Sequence, residues 1–78
     1  MIQDKTLFVG NLNYSTTDGD LYKFFNKVVE VRSVRLILTG GKSRGFAFVQ
    51  VDDPSKAIQL LDEKELNGRR VLIRPEGT

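Results

Sequence analysis

Arg44-Gly45-Phe46-Ala47-Phe48-Val49-Gln50-Val51 is the stretch on which the fold turns. From Phe46 onward it alternates strictly. Ala47, Val49 and Val51 fall on one side, and Phe46, Phe48 and Gln50 on the other. Successive strand side chains point to opposite faces, so this is a strand with an aliphatic face and an aromatic, polar face. Just upstream, Thr39-Gly40-Gly41-Lys42 reads as a turn. Before that turn, roughly Val31 to Leu38 forms a second strand in which Val34, Leu36 and Leu38 alternate with Arg35 and Ile37.

Working outward, Asp52-Asp53-Pro54 is a helix start, with an aspartate cap and a proline in the first turn. That helix runs to about Leu61 with Ala57 and Leu61 inward; either Ile58 or Leu60 completes its buried face. Near the amino terminus, Lys5 to Gly10 is a short strand in which Leu7 and Val9 alternate with Thr6 and Phe8. A polar turn over Asn11 to Thr16 leads to Thr17, a helix N-cap followed by Asp18 and Asp20, where acids favour the helix dipole. Leu21, Phe24, Phe25 and Val28 then recur at helical spacing to about Lys27. After a turn at Leu66-Asn67-Gly68, Arg70 to Arg74 is a last strand with Val71 and Ile73 on one face. The order βαββαβ predicts an α+β fold: a ferredoxin-like sandwich whose four-stranded antiparallel sheet is backed by two helices. Residues 1–78 make one domain with a core over about 5–74, and the chain reads as a domain cut from something longer.

The composition narrows the chemistry. With no cysteine and no histidine among 78 residues, the chain has no disulfide framework, no thiolate or imidazole metal site and no histidine base. An enzyme is not expected, nor is a metal or cofactor. No run approaches transmembrane length, so no membrane partner is expected. Met1 to Lys5 lacks the apolar core of a signal peptide, so an intracellular protein is expected, its compartment unspecified. The formal charge of +2 says little about partners; the arrangement of the charges says more.

Two helices cover one face of a four-stranded sheet. Leu7, Val9, Val34, Leu36, Ala47, Val49, Val51, Val71 and Ile73 supply that face. The other face carries Phe8, Phe46 and Phe48 together with Arg35, Arg44, Arg70 and Arg74, where polar residues are the rule. A covering protein layer would bury the arginines without partners. Single-stranded nucleic acid suits both groups, since bases stack on rings and phosphates pair with guanidinium groups. Asp18, Asp20, Asp52, Asp53, Asp62, Glu63 and Glu65 all fall on helices, their caps or the connecting turn. A basic sheet set against acidic helices orients a polyanion toward the sheet and leaves the helical face open to protein partners.

These residues resemble a known family. Arg44-Gly45-Phe46-Ala47-Phe48-Val49 is similar to the octamer motif of the RNA-recognition motif, and Leu7-Phe8-Val9-Gly10-Asn11-Leu12 to its hexamer motif, one βαβ unit upstream. The resemblance implies that Phe8 and Phe48 each stack under a base, that Phe46 packs against the sugars between them, and that Arg44 pairs with a phosphate. Joined to the face assignment, it gives an expected RNA-binding set of Phe8, Phe46, Phe48, Arg44, Arg35, Gln50, Arg70, Leu72, Arg74, Ile37 and Lys42. Single-stranded DNA is a further candidate ligand, because stacking does not require the 2′-hydroxyl. Val51 stands where the family's octamer usually ends in an aromatic, but that side chain points into the core.

Three other readings fare worse. Gly41-Lys42-Ser43 resembles the end of a phosphate-binding loop, but Leu36 stands where that motif needs a glycine, and a strand follows instead of a helix. Asp52 and Asp53 are better explained as a helix cap than as metal ligands. The alternative with most weight is a protein-interaction domain on the same fold. Family members used that way usually lose the stacking aromatics, and this chain keeps all three.

Overall fold

The computed structural model describes residues 5–76, apart from the side chains of Lys42 and Ser43. In chain order the elements are β1 (Thr6–Gly10), α1 (Asp18–Asn26), β2 (Val31–Thr39), β3 (Lys42–Val51) and α2 (Pro54–Leu61), then the two-residue strands β4 (Glu65–Leu66) and β5 (Arg69–Arg70), and finally β6 (Leu72–Pro75). The longer strands form one four-stranded sheet in the order β2-β3-β1-β6, every neighbouring pair antiparallel. The expected sandwich is present.

Local signals in the sequence account for the helix ends. Thr17 caps α1 through a capping box: its side chain accepts from the Asp20 N–H, and the Asp20 carboxylate accepts from the Thr17 N–H. The Thr17 backbone bond and then the Asn67 side-chain amide hold the Asp20 carboxyl below the ordinary aspartate range. Whatever stability this adds is therefore present above the unfolded-state pKa and lost as pH falls through the folded one. At α2, the Asp53 side chain accepts from the Lys56 N–H and Pro54 occupies the first turn. Asp52 instead accepts from the Glu30 N–H, tying the entry of β2 to the end of β3. Between β2 and β3, Gly40 and Gly41 both have positive φ, the pair of left-handed residues that a two-residue hairpin turn demands.

One core lies between sheet and helices. Leu7, Val9, Ala47, Val49, Val51, Val71 and Ile73 point into it from the strand side and are fully buried. Leu21, Phe24 and Phe25 of α1 and Ala57 and Leu61 of α2 close it from the other side. Ile58 packs against this cluster, whereas Leu60 is exposed, which settles the inward face of α2. Leu38 also ends exposed, past a β2–β3 register shift between Leu36 and Leu38 that interrupts the Val34 and Leu36 alternation.

The last strand requires a correction. Arg70 was expected on the four-stranded sheet, but it lies in β5, paired with β4 across a turn in which Asn67 and Gly68 both have positive φ. The physical reason is at the other end of the pairing. β1 stops at Gly10, opposite Leu72, and Asn11 with φ of 60° turns the chain out of the sheet. Val71 therefore finds its backbone partners at Glu63 and Lys64.

Candidate functional site

On the uncovered side of the sheet, β1 and β3 set Phe8 directly opposite Phe48. Phe46 lies two residues away on the same face of β3. The three rings touch one another, with centroids 5.6 Å apart for Phe8 and Phe46, 5.9 Å for Phe8 and Phe48, and 6.2 Å for Phe46 and Phe48. All three are half-buried, so each ring is supported from below and beside while keeping a surface to solvent. Such a cluster is a rigid apolar platform of the kind on which planar groups stack.

Gly10 allows this arrangement. A Cβ built there would stand 2.8 Å from Phe8 Cε2, so the Phe8 ring lies along the strand above a position with no side chain. Gly10→Ala should displace that ring. Because the obstructed atoms are the far end of a side chain, the thermal midpoint should barely move, while affinity for a stacked base falls by part of the ~1–3 kcal/mol it supplies. Unchanged affinity in a fluorescence titration would show that the ring's position over Gly10 is irrelevant. Gly45 is required for a different reason. Its φ is +86°, and the Tyr14 ring crosses its Cα, Cε1 lying 3.3 Å from where a Cβ would be.

The polar members of the expected set are distributed unevenly. Arg35 sits opposite Phe48 on β2 and is exposed. Arg44, also exposed, donates from Nη1 to Thr39 Oγ1 at 3.3 Å. Gln50 accepts from Ser33 Oγ at 3.4 Å and lies across from Thr6. Ile37 is half-buried and Leu72, 38% exposed, faces Gly10 across the strands. Arg74 sits opposite Phe8, but its guanidinium turns round the sheet edge to the Asp62 carboxylate, 3.2 Å away. Arg70 stands apart on the β4–β5 hairpin. The Lys42 side chain lies outside the described residues.

Two groups of residues escaped the sequence reading. Lys5 and Arg32 line a recess with Gln50 and Val51 where β1 begins. Arg32 reaches it because the β2–β3 register shifts between Val31 and Ser33, an irregularity that alternation cannot reveal. The second group is a set of asparagines that anchors the β4–β5 hairpin. Asn11 donates to the Arg70 carbonyl and accepts from Arg69 Nη2, both at 2.6 Å. Asn67 donates to Thr16 Oγ1 and to Asp20, while its carbonyl accepts from Asn13. These contacts span more than 45 residues of sequence, and a single Asn-Gly turn signal was their only trace. Among the described residues, no cluster of potential metal ligands is present and no helix is long and apolar enough to cross a membrane.

Comparison with known proteins gives a consistent picture. The sequence matches the RNA recognition motif family over residues 7–72. The mitochondrial glycine-rich RNA-binding protein 4 of Arabidopsis thaliana is 40% identical over 72 residues, which cover 86% of this chain and 53% of that protein. U1 small nuclear ribonucleoprotein 70 kDa of Xenopus tropicalis is 35% identical over 77 residues, covering 92% of this chain and 16% of the relative. Among solved structures, RNA Binding Protein PG1 superposes with a TM-score of 0.84 at 35% identity, over 90% of each chain. The chain thus spans only part of the curated relatives it matches.

Proposed function

Because the chain belongs to the RNA recognition motif family, we propose that it binds single-stranded RNA across the open face of its sheet. The observation that carries this reading is the platform of Phe8, Phe46 and Phe48, three mutually supported rings on the side no helix covers. Bases stack on Phe8 and Phe48, and Phe46 packs against the sugars between them. Arg44 and Arg35 border the rings on β3 and β2, where they meet the phosphates of a strand crossing the sheet. Gln50 and the neighbouring Lys5 and Arg32 extend a polar, basic path beyond the rings. The RNA-binding relatives named above support the ligand class.

Stacking needs bases with free faces, so an unpaired oligonucleotide should bind far more tightly than a duplex containing the same strand. Fluorescence anisotropy with a labelled 8-mer, free and annealed to its complement, measures this directly. Equal affinities for the two forms would rule out the platform as the binding surface. Running single-stranded DNA beside the RNA shows whether the 2′-hydroxyl contributes.

A further inference from the structure

Of the described basic side chains around the platform, Arg74 is the one already neutralised. Its Nη1 lies 3.2 Å from both carboxylate oxygens of Asp62 and also donates to the Ile73 carbonyl at 2.8 Å. This is the one ion pair among the described residues. Asp62 is held by the fold as well as by the arginine. It is the C-cap residue of α2, and its Oδ1 accepts from the Ile73 N–H at 2.9 Å. Its side chain is 23% exposed, against 54% for Arg74, so the carboxylate is the fixed member of the pair. Arg74 sits directly opposite Phe8 on the neighbouring strand, beside the ring expected to carry a base. Yet its guanidinium is drawn off the face to the sheet edge.

We infer that Asp62 withholds Arg74 from the RNA backbone, setting the affinity and salt dependence of the platform below what its arginines would otherwise give. This rests on the RNA-binding reading above. A phosphate approaching Arg74 meets a pair with no net charge and must compete with a carboxylate that the fold keeps in place. Neutralising a phosphate releases condensed counterions, which is why binding to single strands weakens with salt at a logarithmic slope of about −0.7 per phosphate. Arg74 adds nothing to that slope while the pair persists. Arg44, whose guanidinium donates to the neutral Thr39 hydroxyl rather than to a carboxylate, contributes in full.

Asp62→Asn tests this, because the amide oxygen can still accept from the Ile73 N–H while the charge is gone. The affinity of wild type and variant for a labelled single-stranded 8-mer is measured between 50 and 200 mM salt. The variant should bind more tightly at 50 mM, and its slope should steepen by about 0.7. The ratio of its affinities at 50 and 200 mM then grows by about 2.6-fold. Adding Arg74→Ala to that variant should cancel the steepening, and Arg44→Ala in the wild type should flatten the slope by about 0.7. Asp62→Ser, which also removes the charge, gives the same reading if Asp62→Asn unfolds. A wild type that binds no RNA sinks the functional reading itself. A wild type that binds, with a slope unmoved by loss of the charge or with affinity lowered by it, overturns only the role given to Asp62.

Discussion

Leu7→Ala should destabilise the fold by about 2–5 kcal/mol, the range for truncating a fully buried leucine. Leu7 has no exposed surface, and it sits at the middle of the sheet, on a strand with neighbours on both sides. The lost methyl groups leave a cavity that cannot close without shifting Val49, its partner on β3, or the helices above. A chain of 78 residues has little stability to spare, since small domains bury a smaller share of their surface. The loss should appear as a lower urea midpoint with an unchanged slope. A midpoint within experimental error of the wild type would contradict the assignment of Leu7 to the core.

Phe48→Ala reverses that pattern. RNA affinity should fall by about 1–3 kcal/mol, the worth of one base stacked on an aromatic ring, and Phe8→Ala should fall in the same range. Stability should change far less than in Leu7→Ala, since these rings sit outside the core cluster and are only half-buried. The two losses should not simply add. The rings are in contact at 5.9 Å, so removing one also removes lateral support from the other. Isothermal titration of both single mutants and the double mutant measures this coupling. Wild-type affinity in either single mutant would mean that the bases lie elsewhere.

The sequence was most informative where period and chemistry agreed. In β3, Phe46 and Phe48 alternate with Ala47 and Val49 over a run too regular to misread, and the structure places all four as that alternation requires. Thr17, Asp53 and Pro54 mark helix starts because the orphan N–H groups of a first turn need such residues, and both caps form. What stayed hidden depends on chain crossing chain. Nothing local to Arg70 says that β1 will end before reaching it, since that is decided 59 positions away by the turn at Asn11. Alternation assigned Arg74 correctly to the open face at its Cα, but the pull of Asp62 on the guanidinium is a tertiary fact. The register shift that exposes Arg32 is likewise invisible until β2 meets β3.

An open sheet has two bare edges, and a bare edge invites strands from other molecules. Along β6, the backbone nitrogens that face outward are those of Ile73 and Pro75. The first is already bonded to Asp62, and proline has no N–H to offer. At the opposite edge, the irregular stretch of β2 around Arg32 and the exposed charge of Arg35 interrupt the flat run that a neighbouring strand would need. Neither border of the sheet therefore offers a neighbouring strand an uninterrupted ladder of donors, even though the face between them leaves three aromatic rings uncovered.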